Sequence, residues 1–308
     1  MTLHRKEPAM HTTLISVEQL QALQASGAPL MVFDCTFDLM KPELGEQQYR
    51  EAHLPGAVYA NLDTALSVKG GATASSHGEP TPGAASGGRH PLPSREKFAA
   101  WLSSVGLTNA MQAVVYDRNG ANYCGRLWWM LKWVGHDAVA VLDGGLQAWT
   151  AAGGATQGSV AGGTETAVSA SNYALVSSPW SLVATKTIAD NLGKASQTLI
   201  DARAAPRFRG EVEPLDPVAG HIPGALNRPF ALNIGPDGRF KPATQLKAEF
   251  EALLAGRDPA TVVHHCGSGV SAIPNLLAMQ IAGLGPTALY AGSWSEWCNT
   301  PGLPVAQG

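Results

Sequence analysis

The chain carries one pattern twice, and that limits what it can fold into. Val114-Val115-Tyr116-Asp117-Arg118 aligns with Val262-Val263-His264-His265-Cys266, an offset of 148 residues. Continued without a gap, the offset sets Gly135 on Gly283, Leu142-Asp143-Gly144 on Tyr290-Ala291-Gly292 and Trp149 on Trp297. Upstream, Ala52-His53-Leu54-Pro55-Gly56-Ala57 echoes Gly220-His221-Ile222-Pro223-Gly224-Ala225, and Phe33-Asp34 echoes Ile200-Asp201, in the same order. A match ending on tryptophan, with two His-Leu/Ile-Pro-Gly-Ala runs in register, means duplication rather than coincidence in a chain rich in Gly and Ala. The 308 residues suit two domains of about 150 each. We expect an N-terminal tail over 1–13, a first domain over 14–150, a small polar linker over 151–172 and a second domain over 173–308.

Each half reads as an α/β domain with a mostly parallel sheet flanked by helices. Short Val-rich runs predict buried parallel strands at Leu30–Asp34, Ala113–Asp117 and Ala138–Leu142, repeated at Thr198–Asp201, Thr261–His265 and Thr287–Tyr290. Helical stretches alternate with them. Ser16 is placed to cap one helix through Leu23, with Glu18 in its first turn, and Ser94 to cap Arg95–Val105. In such sheets ligands sit at the carboxyl ends of the strands.

Composition narrows the class. Apolar residues make up 45% and charged residues 15%, with a net charge of −3. That is a globular chain without the basic excess that nucleic acid or an anionic membrane would favour. The apolar run Leu127–Val134 is short and interrupted by Lys132, so no membrane span is expected. Cys35, Cys124, Cys266 and Cys298 have no spacing that suggests a disulfide framework or a zinc site. His264, His265 and Cys266 are strand neighbours pointing to alternate faces, so they cannot share one ion. No cofactor signature appears, because Gly267-Ser268-Gly269 lacks phosphate-loop and dinucleotide spacing. Free thiols and the lack of an apolar leader near Met1 make the cytoplasm the expected compartment.

Cys266 stands out. It ends a predicted strand, Gly267-Ser268-Gly269 must turn sharply, and Val270–Met279 reads as a helix with Pro274 in its first turn. A loop entering a helix N-terminus gathers amide N–H groups and the positive end of a dipole. A thiol there is favoured as the thiolate, which is the nucleophile. The repeat places Arg118 at the matching position, so the scaffold does not itself require a cysteine. The first domain therefore lacks the nucleophile.

His265-Cys266-Gly267-Ser268-Gly269-Val270-Ser271-Ala272 resembles the active-site loop of tandem-domain rhodanese-type sulfurtransferases, in the version found in 3-mercaptopyruvate sulfurtransferases. Asp201-Ala202-Arg203, Arg207-Phe208-Arg209-Gly210, the His221 run and Gly292-Ser293-Trp294-Ser295-Glu296-Trp297 match the same family. The resemblance implies that Cys266 takes sulfur as a persulfide and hands it to cyanide or to a thiol, such as thioredoxin or a small thiol. It implies that Ser268 pairs with a histidine and an aspartate of the first domain, carried here by His90 and Asp63. His77, inside the Gly/Ser/Pro-rich stretch Lys69–Gly88, is the alternative histidine. Arg207 takes the role of donor-binding arginine, and Gly267, Gly269, Val270 and Ser271 form the cradle. Leu215 departs from the pattern, standing where the family carries a second arginine, with Arg209 and Arg228 as possible substitutes.

The resemblance implies a small-molecule sulfur donor, 3-mercaptopyruvate or alternatively thiosulfate, and the charge and hydropathy lead us to expect no nucleic acid or membrane partner. Two other classes compete. A cysteine phosphatase or arsenate reductase needs an arginine six residues after the cysteine, and Ala272 stands there. A non-catalytic rhodanese-like module usually lacks the cysteine. Asp34, Asp201, His53 and His221 recur in both halves and are expected to be structural. Trp294 and Trp297 are expected in the core or at the domain contact, with a pocket-lining position as the alternative for Trp294, and Cys35, Cys124 and Cys298 as packing residues.

Overall fold

A computed structural model of the chain describes residues 10–68, 83–158 and 169–308. His77 and most of the Lys69–Gly88 stretch, and the centre of the expected linker, lie outside the described residues. The strands are β1 (Leu14–Ile15), β2 (Leu30–Asp34), β3 (Val58–Tyr59), β4 (Gln112–Tyr116), β5 (Val139–Leu142), β6 (Thr198–Asp201), β7 (Leu226–Asn227), β8 (Val262–His265) and β9 (Ala288–Leu289). The first sheet has the order β1-β5-β4-β2-β3 and the second β7-β6-β8-β9, and every pairing is parallel. An isolated parallel bridge from Leu182 to Leu289 stands where β1 stands in the first sheet. The two sheets therefore share one topology, as the repeat requires.

The helices are α1 (Val17–Ser26), α2 (Pro42–Glu51), α3 (Arg95–Ser104), α4 (Cys124–Trp133), α5 (Gly145–Ala151), α6 (Thr185–Asp190), α7 (Ala205–Phe208), α8 (Ala243–Leu254), α9 (Ile273–Ile281) and α10 (Ser293–Trp297). Ser16 and Ser94 cap α1 and α3 by accepting from the amides three residues on, and Gln19 returns a bond to Ser16. The helix expected from Val270 begins three residues later, at Ile273 with Pro274 in its first turn. Residues 267–272 are taken up by the loop instead.

The repeated motifs do structural work. His53 Nδ1 lies 2.7 Å from the Tyr49 carbonyl, and the His53 backbone pairs with Gln157. His221 Nδ1 lies 2.8 Å from the Phe208 carbonyl, and its backbone pairs with Ala306. Each histidine thus ties the closing segment of its own domain to the loop before its third strand.

The two domains join along α4 and α9, the helices that follow the two matched loops. All ten residues of α4 are buried, which accounts for the apolar Leu127–Val134 run. Gly125 lets the helices approach, since a Cβ there would lie 3.3 Å from Ile273 Cγ2. One core cluster spans both domains, from Phe33 and Trp128 to Leu276 and Met279. Residues 171–178 run along the first domain, with Ser171 and Val176 donating to Ser103 and Val134. Among the described residues no helix is long and apolar enough to cross a membrane.

Candidate active site

Cys266 follows the last residue of β8, at the carboxyl edge of the second sheet, and is 2% exposed. Its amide donates to Ser293 Oγ at 3.1 Å, and its carbonyl accepts from Trp294. Ser293 reaches it from a left-handed backbone, φ +57°, a conformation costing a side chain roughly 1–2 kcal/mol. The matching residue in the first domain is Gly145, at φ +56°. The second domain carries that strain in return for a hydroxyl beside Cys266.

The amides of Gly267 to Ala272 donate to no protein atom among the described residues. Such a run of open donors is an anion cradle. Gly269 sits in it at φ +74°, and a Cβ there would fall 2.3 Å from the Ala291 carbonyl oxygen. Only glycine fits.

The first domain reaches into this loop. His90 Nδ1 lies 2.8 Å from Ser268 Oγ, and His90 Nε2 lies 3.7 Å from Asp63 Oδ1. Ser268, His90 and Asp63, remote in sequence, thus form one chain of polar groups ending beside the thiol. His90 and Ser268 are both buried. The segment carrying His90 is pinned to α10 of the second domain. Arg89 N donates to Ser295 Oγ at 3.0 Å, and Gly87 N donates to Glu296 Oε2 at 3.1 Å.

Arg207, one turn after β6, faces the same loop. It bonds Glu213 at 2.6 Å and lies 3.7 Å from Asp216. Leu215 is in the segment holding these carboxylates and is exposed. Neither alternative to the missing arginine reaches the loop. Arg209 pairs with Glu211 on the surface, and Arg228 pairs with Glu249 and Asn233.

Two residues were passed over in the sequence. Arg126, on α4, is fully buried and donates to three carbonyls: Gly269 at 2.9 Å, His90 at 2.8 Å and Leu66 at 3.3 Å. It ties together the loops that carry Cys266, His90 and Asp63. Burial pushes its guanidinium down to about 9, partly offset by its charge interaction with Cys266. Arg89 is the second, and its position is taken up below. Neither carried a local signal, since their partners lie far along the chain.

The other cysteines are kept from ionising. Burial raises the Cys35 and Cys124 thiols far above the ordinary range, with Asp34 and Asp117 adding to it, and raises Cys298 to about 11. These three are held as thiols. Asp34 and Asp201 each accept the amide two residues on, at Thr36 and Arg203, closing equivalent turns in the two halves.

The Rhodanese-like domain family matches residues 16–152 and again residues 184–300. A Pseudomonas aeruginosa protein named "Probable 3-mercaptopyruvate sulfurtransferase" is 44% identical, over 96% of this chain and 98% of that protein. SseB of Mycobacterium tuberculosis, named for thiosulfate sulfurtransferase activity, is 38% identical over 96% of this chain and 97% of its own. Among solved structures, 3-mercaptopyruvate sulfurtransferase from Leishmania major superposes with a TM-score of 0.74 at 28% identity, covering 92% of this chain and 73% of that one. Two matched domains, one with a cradled cysteine and one without, and relatives aligned over nearly the whole chain lead to one statement: this protein belongs to the tandem rhodanese-domain sulfurtransferases.

Proposed function

We propose that Cys266 carries sulfur from 3-mercaptopyruvate to a thiol or to cyanide, with Ser268, His90 and Asp63 handling the proton and Arg207 binding the donor carboxylate. The observation that carries this reading is the 2.8 Å contact between His90 and Ser268, two residues from the nucleophile. Thiosulfate has no proton to move, whereas a thiol donor does.

The Cys266 thiolate attacks the donor sulfur, and the carbon–sulfur bond breaks toward the ketone to leave the pyruvate enolate. The proton of the donor thiol passes to Ser268 and His90 and returns to the enolate carbon, giving pyruvate and a Cys266 persulfide anion. Asp63 favours the charged form of His90 while the proton is held. The cradle amides of Gly267, Gly269, Val270 and Ser271 stabilise the persulfide. Cyanide or an acceptor thiol, of a protein such as thioredoxin or of a small molecule, removes the outer sulfur and restores the thiolate. This chemistry fits a reducing cytoplasm, and the reading keeps the domain boundary within 151–172.

Steady-state sulfur transfer to cyanide, measured with each donor, tests the assignment. The expected result is a kcat/KM for 3-mercaptopyruvate at least ten times that for thiosulfate. Faster turnover of thiosulfate would reverse the donor assignment and give Leu215 its meaning.

A further inference from the structure

The carboxylate clamp on this loop has one arginine in the second domain, Arg207, and Leu215 offers no second. We propose that Arg89, supplied by the first domain, is the second arginine, and that with Arg207 it binds the carboxylate of an α-keto acid donor across the domain interface. The inference rests on the donor reading above and deepens it.

Gly267, the residue after Cys266, is the reference point. A Cβ built on it would lie 3.0 Å from Arg89 Nη2 and 3.6 Å from both terminal nitrogens of Arg207. Two guanidinium groups thus converge on the residue next to the nucleophile. Both are held from behind by buried carboxylates, and they share Asp216. Arg89 Nη1 pairs with Asp216, and Arg207 pairs with Glu213 and Asp216. The Asp216 and Glu213 side chains are 2% and 3% exposed, whereas those of Arg89 and Arg207 are 29% and 20% exposed.

These ion pairs use only part of each fork. Arg89 Nη2 and Arg207 Nη1 donate to no protein atom among the described residues. The Gly267 distances place both nitrogens within the span of one carboxylate, whose two oxygens each accept at about 2.9 Å. A Cβ at Gly267 would press on Arg89 Nη2, so the glycine leaves room for the clamp.

The scaffold itself does not call for arginine at this place. At the repeat offset of 148, Arg89 corresponds to Asp237, which lines the cavity beside the matched loop of the first domain. The segment has the same role in both halves, reaching across to the other domain's loop, and its charge is reversed. The positive charge faces the loop that holds the cysteine, and the negative one faces the loop that lacks it.

The test compares wild type, Arg89→Gln and Arg89→Lys in steady-state turnover of 3-mercaptopyruvate with cyanide. It is paired with discharge to cyanide of persulfide preformed with polysulfide. Arg89→Gln is expected to raise KM for 3-mercaptopyruvate about 10- to 100-fold, as loss of a charge-assisted hydrogen bond predicts. Its kcat and its persulfide discharge stay within about threefold of wild type. Arg89→Lys, which keeps the charge but not the fork, falls between the two. Arg209→Gln, on the surface, leaves KM unchanged. A KM within twofold of wild type for Arg89→Gln, or a parallel fall in kcat and discharge, overturns the clamp while leaving the donor reading intact. A wild type that does not consume 3-mercaptopyruvate overturns the donor reading and the clamp with it.

Discussion

At the end of β4 the chain runs Asp117-Arg118-Asn119, and at the end of β8 it runs His265-Cys266-Gly267, at equivalent places in two sheets of one topology. In the first loop the Asp117 carboxylate accepts from four amides, those of Asn119, Ala121, Tyr123 and Cys124, at 2.8 to 3.1 Å. In the second, His265 replaces that carboxylate and the amides of Gly267 to Ala272 have no protein acceptor among the described residues. The same run of amides is thus filled from within in one domain and left without a protein acceptor in the other, as the proposed persulfide site requires. Arg118, where the nucleophile would be, turns away and donates to the Gln48 and Ala52 carbonyls at the end of α2, as cations near helix C-termini do. Duplication kept the cradle. One copy seals it with Asp117, and the other leaves it open to the persulfide anion we propose.

The largest effect should come from removing the thiol. Cys266→Ser is expected to abolish transfer, at least 10³-fold, as loss of an activated nucleophile does. Cys124→Ser, in the sealed domain, should stay within about twofold of wild type. Intact-mass spectrometry after donor treatment should show one added sulfur in wild type and Cys124→Ser only. Added sulfur on Cys266→Ser would break the comparison at its centre.

A smaller effect is expected from opening the sealed cradle. Asp117→Ala strands four amides and should lower stability in urea unfolding by about 1.5–3 kcal/mol, the range for hydrogen bonds to a charged group. Sulfate should restore more stability to this variant than to wild type, by occupying the vacated cradle. Equal stabilisation of both proteins by sulfate would mean that the first loop is not an anion cradle.

The smallest effect distinguishes the strands themselves. His264 of β8 stands opposite Tyr116 of β4 in the repeat. Burial first, then the positive charge of His265 and Arg228, pushes His264 down to about 3 from an ordinary 6.5. A folded-state value below the unfolded one means that the stability is fully present above pH 6.5 and is lost as pH falls toward 3. His264→Leu should therefore show a shallower fall in Tm over that window than wild type. Parallel curves would assign the acid sensitivity elsewhere, with the buried His136, held at about 4 mainly by burial, as the next group to replace.

Much of the fold was legible along the chain. The strand runs at Leu30–Asp34 and Thr198–Asp201 match the observed strands residue for residue, because buried parallel strands show as unbroken apolar stretches. The caps at Ser16 and Ser94 were legible because a cap and its amide are three residues apart. The start of α9 was not. The sequence from Val270 reads as helix, but the loop keeps the amides up to Ala272 out of helical bonding. Of the site, Cys266, Ser268, Arg207, His90 and Asp63 carried local or familial signals. Arg89 and Arg126 carried none, since an arginine in a loop and one in an apolar run look like surface charge and accident.

By itself the sequence determined that there are two like domains and that only one has a thiol at the strand end. Both follow from short-range pattern and from the repeat register. The family resemblance named His90 and Asp63 as partners of Ser268, and only the tertiary structure shows how they reach it and adds Arg89 and Arg126. The α4–α9 contact brings the first domain's His90, Asp63 and Arg89 onto the second domain's loop, from positions more than a hundred residues away. It also decided that Asp117 seals the other loop, because a carboxylate's acceptors are matched by where the amides point, and that depends on the folded backbone rather than on the residue names.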